Sequence, residues 1–205
     1  MEIEAKFAVP DETTWQRLQR VEELAGYAIG PSQTKDVHDT FVDTPDRQII
    51  RSGYVCRQRE VGGQIVMTLK TGQHTVEGAV HRREELEITL PHVMPIGQWP
   101  PSEIRDRLLA LIGDVPLTPL FDQYQTRHVR WVTPGGHRVA EMSIDQVRLT
   151  INGQEQAYYE VEVELKDDGT EDDLARLAAA LQTDWGLSPE PRSKFARALA
   201  LADTP

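Results

Sequence analysis

One cysteine, Cys56, stands in 205 residues, so the chain has no internal disulfide and no thiolate cluster for zinc. No apolar run approaches membrane-spanning length, and the N-terminal MEIEAKF opens on a strand-like alternation instead of a secretory leader. A cytoplasmic location with no membrane partner is therefore expected. There is no repeat at a fixed period, no Gly/Ser tract and no long block of one charge, so nothing reads as disordered. Basic residues are in the minority, 22 Lys and Arg against 33 Asp and Glu. That balance argues against nonspecific binding to nucleic acid, which needs a basic footprint. It does not argue against a small anionic ligand, because what matters there is where the basic residues lie.

The length suits one domain, 1–205, with a sizeable core. Periodicity and turn signals predict a strand at 2–9 and a helix over 12–24, with Trp15, Leu18 and Val21 on one stripe. Gly26, Gly30 and Pro31 break that pattern. Strands follow over 35–42, 53–60, 64–70 and 81–90, with Gly62-Gly63 turning a hairpin. A proline-rich stretch leads to a helix from Ser102 that stops at Gly113. Three long strands, 121–133, 137–149 and 154–166, are joined by Pro134-Gly135-Gly136 and Asn152-Gly153. Thr170 caps a helix that ends before Gly186, and a last helix starting near Ser188-Pro189-Glu190 carries Phe195 and Leu199. About eight strands and four helices, joined mostly by tight turns, favour antiparallel pairing and closure into a barrel.

Side chains alternate faces along a strand, so parity sorts the charges. Glu2, Glu4 and Lys6 share one face, and Arg57 goes with Arg59. Thr68 and Lys70, then Arg83, Glu85 and Glu87, then Glu141, Ser143 and Asp145, and finally Glu160, Glu162 and Glu164 repeat the division. A sheet with one apolar and one wet face shows such alternation as a matter of course. A wet face, however, usually mixes Thr, Ser, Lys and Gln, whereas this one carries acidic triplets and doubled arginines. Like charges two apart repel, and they become sensible when a metal ion neutralises the acids and a polyanion the bases.

Glu2-Ile3-Glu4-Ala5-Lys6 resembles the ExExK signature of the CYTH superfamily, the triphosphate tunnel metalloenzymes. The resemblance continues in order through Asp43 to Asp46, Arg57-Gln58-Arg59, Thr68 to Lys70, Arg83 to Glu87, Arg127, Glu141 to Asp145, Glu160 to Glu164 and Ser193-Lys194, covering nearly the whole chain. It implies an α+β fold, a closed eight-stranded antiparallel β-barrel forming a tunnel with flanking helices. It also implies one or two Mg²⁺ or Mn²⁺ ions as cofactor and a small-molecule triphosphate as substrate. The helical phosphate-binding domain that some members append finds no room here. The metal ligands it suggests are Glu2, Glu4, Asp145, Glu160 and Glu162, with Glu164 at the rim and Glu87 and Glu141 either ligands or supports. The phosphate clamp is Lys6, Arg57, Arg59, Lys70, Arg83 and Arg127, with Lys194 reaching over one mouth. Lys6, Glu85 and Asp145 are the expected catalytic residues, acting on a water nucleophile that a carboxylate helps to deprotonate.

Three functions fit: a triphosphate hydrolase, an adenylate cyclase on the same fold, or a polyphosphate-binding module without catalysis. Both acidic sets are useless to a pure anion binder. The parity shows no aromatic cluster beside the charges where a purine or thiazolium ring could stack, and only 6% of the chain is aromatic, which favours inorganic triphosphate as substrate over thiamine triphosphate or ATP. Asp43-Thr44-Pro45-Asp46 reads as a turn, Cys56 as packing under a helix, Trp15 and Trp185 as helix anchors, and His38, His74 and His128 as incidental.

Overall fold

Alternation of apolar and charged side chains commits most of the chain to strands. The computed structural model, which describes residues 1–71, 75–151, 153–166 and 168–202, gathers them into one strongly curled antiparallel sheet. In chain order the elements are β1 (Glu2–Val9), α1 (Glu12–Leu18), β2 (Glu23–Leu24), β3 (Tyr27–Ile29), β4 (Gln33–Asp43), α2 (Gln48–Arg51), β5 (Tyr54–Val61) and β6 (Gln64–Thr71). Then come β7 (Thr75–Glu77), β8 (Val80–Arg83), β9 (Glu85–Leu90), α3 (Glu103–Ile112), β10 (Thr118–Thr133), β11 (Ala140–Ile151) and β12 (Gln154–Leu165). The chain ends with α4 (Glu171–Thr183), β13 (Ser188–Pro189) and α5 (Lys194–Ala202). Among the described residues no helix is long and apolar enough to cross a membrane.

The strands follow the path β7-β8-β1-β12-β11-β10-β4-β5-β6-β9. This corrects the expected closed barrel of eight strands: the hydrogen-bonded path is open. Its two ends nevertheless meet in one stretch of chain. β8 pairs with β1 up to Arg83, and β9 pairs with β6 from Glu85. Glu84 between them marks the change of partner, with the Thr71 N–H to Glu84 carbonyl bond (3.1 Å) beside it. The continuous strand expected over 81–90 breaks here because one ladder cannot run through a change of partner.

Helices cover the outer, apolar parity of the sheet. Leu18 of α1 and Leu174, Leu177 and Leu181 of α4 bury Phe7, Met142, Ile144, Val161 and Val163. Ile104, Leu108 and Ile112 of α3 bury Cys56, Met67, Leu69 and Leu90, so Cys56 does pack under a helix. Trp15 and Trp185 both pack against the first of these cores. A third cluster lies on the opposite parity. Phe41, Phe121, Val147 and Leu149 continue the inward rows of β4, β10 and β11, and Phe195 and Ala198 of α5 pack onto them. One end of the lumen is thus apolar and covered by α5.

Three local expectations change. The helix of 12–24 stops at Leu18, and the chain enters the β2–β3 hairpin, whose turn is Ala25 and Gly26, both at positive φ (54° and 83°). Val21 still joins Trp15 and Leu18 on the first core. The last helix starts at Lys194, because Ser188 and Pro189 pair with Ala8 and Phe7 and Ser193 Oγ accepts the Ala196 N–H at 3.1 Å. The Asp43 turn opens a short helix, α2, that alternation had not suggested: the buried Asp43 carboxylate accepts the N–H groups of Thr44, Ile49 and Ile50 at 2.6, 2.9 and 3.0 Å. Gly53, at φ 80°, then turns the chain into β5. Of the loop residues read from sequence, His74 and Asn152 lie outside the described residues.

Candidate active site

Asp145 and Glu160 face each other across β11 and β12, and Glu162 follows on the same side of β12. Carboxylate oxygens of all three lie within 4.8 Å of one another, and the residues are 0%, 0% and 7% exposed. Three like charges this close and this dry would repel strongly unless cations neutralised them. Lys194 does part of this from α5, its Nζ lying 2.8 Å from Glu162, 3.3 Å from Asp145 and in close contact with Glu160. Arg127 adds contacts to Asp145 (3.1 Å), Glu162 (3.0 Å) and Ser143 (2.7 Å). Lys6 lies 3.0 Å from Glu162 and 3.5 Å from Glu4, so it joins the cluster to the first strand.

The remaining bases sit on the far wall. Arg83 contacts Glu2 closely and Glu4 at 3.5 Å, and Lys70 lies 2.9 Å from Glu85 and 3.2 Å from Glu2. Arg59 grips Asp39 with two hydrogen bonds, 2.6 and 2.8 Å, and Arg57 donates to Thr68 at 3.0 Å. Between the walls lies a cavity of about 360 Å³. Acids and bases pair with one another across it.

Burial pushes Glu2, Glu85, Glu160 and Glu162 toward protonation, and the neighbouring charges decide where each one ends. Lys70 and Arg83 overcome burial at Glu2 and hold it far below the usual range. Lys194, Lys6 and Arg127 do the same for Glu162. Glu160 goes the other way: burial and the charges of Glu162 and Asp145 outweigh Lys194 and Lys6 and raise its pKa. Burial also raises Glu85, with Glu2 adding to it against Lys70. Among the bases, burial lowers Lys70, helped by Arg83 and Arg57, whereas the facing acids overcome burial and raise Lys6 and Lys194.

The sequence profile of the CYTH domain matches residues 1–198. The chain belongs to the CYTH family. It is 26% identical over 173 residues to the inorganic triphosphatase of Haemophilus influenzae, covering 83% of this chain and 47% of that protein. An uncharacterised protein of Mycobacterium tuberculosis is 28% identical over 217 residues, 97% of this chain and 40% of that one. The chain thus spans about half the length, or less, of these curated relatives. Among solved structures, a Hippeastrum protein described as an adenylyl cyclase with dominant triphosphatase activity superposes with a TM-score of 0.74 at 21% identity, covering 100% of this chain and 98% of the other. A protein of Bacillus halodurans follows at 0.62 and 20%, with 96% of each chain covered. At such identities the superpositions speak for the fold.

In this CYTH domain Glu2, Glu4 and Glu162 line the cavity, as do Lys6, Arg57, Arg59, Lys70, Arg83, Arg127 and Lys194. Asp145 and Glu160 stand behind that lining, and Glu85 is tied to it through Lys70. Glu164 lines the cavity and pairs with Lys166, while Glu87, its side chain 49% exposed, accepts from the buried Thr68 at 2.7 Å and lies 3.6 Å from Arg57. His38 and His128 pair with Asp122 and Thr34 away from these groups. Glu160 Oε2 is buried without a hydrogen-bond partner, and the Lys194 contacts to Glu160 and Asp145 are ion pairs without hydrogen-bond alignment. Hard, under-coordinated oxygens of this kind suit Mg²⁺ or Mn²⁺.

Sequence reasoning missed Asp39, Gln123 and Gln125. Gln125 donates to Asp39 at 2.8 Å, and Gln123 is buried with both amide atoms unpartnered. The 35–42 stretch carries charge on both parities, so alternation could not sort Asp39. Gln123 and Gln125 share the parity of Arg127, which marks them as inward-facing. The absence of aromatics is also corrected: Phe41, Tyr54 and Phe195 line the cavity, Phe195 because a helix, which strand parity does not address, closes one end.

Proposed function

We propose that this domain hydrolyses a phosphoanhydride of a triphosphate with the help of Mg²⁺ or Mn²⁺, taking inorganic triphosphate to pyrophosphate and phosphate. One observation carries the proposal: a buried cluster of three carboxylates, which reaches the cavity through Glu162, adjoins a cavity lined by arginines and lysines. A pure anion binder has no use for the former, and a pure cation site none for the latter. The chemistry is addition of water to a terminal phosphorus and departure of pyrophosphate with the electrons of the broken P–O bond.

Lys6, Arg57, Arg59, Lys70, Arg83 and Arg127 would exchange their present carboxylate partners for phosphoryl oxygens, holding the chain in line and neutralising its charge. Asp145, Glu160 and Glu162, with Glu2 and Glu4, would hold the metal, which when bound supplies positive charge at the phosphates and acidifies water. Glu85 and Asp145 are the groups proposed to orient the attacking water and accept its proton. The raised pKa of Glu85 suits a proton acceptor better than that of an ordinary carboxylate.

A second reading has its own support. The apolar end formed by Phe41, Ile50, Val55, Phe195 and Leu199 would accept an organic substituent. One experiment separates the two: phosphate release from inorganic triphosphate, thiamine triphosphate, ATP and pyrophosphate, with Mg²⁺ or Mn²⁺ and with excess chelator. The highest kcat/KM for inorganic triphosphate supports the first reading, and a higher value for an organic triphosphate the second. Cyclic AMP as the main product from ATP would replace both, and full turnover in chelator would remove the metal from the account.

A further inference from the structure

Lys194 occupies an unusual place for a residue expected to hold phosphate. Its Nζ does not face the open cavity alone. It reaches all three carboxylates of the buried cluster, at 2.8 Å from Glu162, 3.3 Å from Asp145 and in close contact with Glu160. Those three residues are also the set that converges within 4.8 Å. A lysine ammonium and a divalent cation cannot both sit among the same oxygens. The fit is also incomplete: Glu160 Oε2 keeps no hydrogen-bond partner although the residue is 0% exposed. Arg127 and Lys6 also reach Asp145 or Glu162, but of the three cations Lys194 alone contacts Glu160, and it alone touches all three carboxylates.

From these contacts we infer that Lys194 is a tethered cation that holds the carboxylate cluster while no metal is bound, and that a divalent ion displaces it into the cavity, where it becomes a phosphate ligand. Metal and triphosphate binding are then linked through one side chain, with the metal favoured to bind first. This rests on the metal-dependent reading above. The linkage follows from exclusion: while Lys194 is docked the cluster is closed to a metal, so apparent affinity falls by the fraction of molecules in which it is undocked. The other half follows from position. Ser193, Lys194, Phe195 and Ala196 all line the cavity, so an ammonium that leaves the cluster is already on the substrate's wall. The long, flexible lysine stem lets it move without unseating α5, whose Phe195 and Ala198 stay packed on Phe41 and Phe121.

The test is titration of Mn²⁺ alone into the full chain by isothermal calorimetry, without substrate, for wild type and Lys194→Met. Removing the tethered cation should tighten Mn²⁺ binding by about tenfold or more, the effect of a lysine docked roughly nine-tenths of the time. Equal or weaker binding in the variant overturns the inference. Failure of wild type to bind Mn²⁺ at all would sink the metal-dependent reading instead, so the two failures are distinguishable. Should Lys194→Met not fold, Lys194→Gln is titrated in the same way, and Mn²⁺ binding no tighter than in wild type again overturns the proposal.

Discussion

At the residue scale, the informative side chains are those whose charge is paired in the dark. Asp39 is the clearest, because burial alone would raise its pKa, yet the two Arg59 hydrogen bonds and the charge of Arg57 hold it below 3.8. A depressed carboxylate contributes stability that is present above the unfolded pKa and lost as pH falls through the folded one. Asp39→Asn should therefore cost about 3 kcal/mol at pH 7, the usual scale for breaking one partner of a buried pair. Denaturant unfolding at several pH values should show the gap to wild type full above about pH 4 and closing below it. Glu4→Gln, which removes a carboxylate charge at nearly constant shape, should abolish turnover with the fold intact by circular dichroism. Arg57→Ala should chiefly raise KM, with any loss in kcat marking a contact made only in the transition state. Wild-type rates in Glu4→Gln would show that the metal is held elsewhere. Most of these residues were legible in the sequence, because strand parity is a two-valued code and the charges obey it on six strands. Asp39 was not, since Lys35, Asp36, His38 and Asp39 place polar groups on both faces.

Among the elements, the same code fails wherever the chain leaves regular strand geometry. The short helix α2 has four residues and no periodicity of its own. It exists because Asp43 gathers three backbone N–H groups on one carboxylate. Asp43→Ala should cost about 2 kcal/mol, as for a strong cap lost from a buried site. In urea the midpoint should fall with the slope unchanged; an altered slope would mean that the variant changes the extent of unfolding and not the cap. The segment matters to the site because Ile50 of α2 and Gly53 and Tyr54 just after it line the cavity. The apolar end of the lumen was hidden for another reason. Val147, Leu149 and Ile151 continue the inward row of Ser143 and Asp145, so a row that begins charged ends apolar. Attention to charge alone stops halfway along such a strand, and α5 can be understood only from its second half.

Seen whole, the molecule pairs much of its interior charge within itself, since Lys6, Lys70, Arg83, Arg127 and Lys194 each contact a carboxylate. The fold should therefore survive metal removal: chelator should abolish activity yet leave the far-ultraviolet circular dichroism unchanged. Added Mn²⁺ should raise Tm, since an ion that binds only the folded chain stabilises it by about 2.7 kcal/mol at a hundred times its Kd. A Tm indifferent to Mn²⁺ would remove the ion from the lumen. The break at Glu84 gives this pairing a mechanical side. β8 and β9 hold different neighbours there, and across the corner β6 is tied to β1 by Lys70 and Glu2, with Arg83 and Glu85 on either side. That tie is made of the same charges a polyanion would claim. Filling the bore and loosening its fastening would then be a single event, because the Lys70 ammonium and the Arg83 guanidinium that join β6 and β8 to Glu2 are charges a guest would compete for.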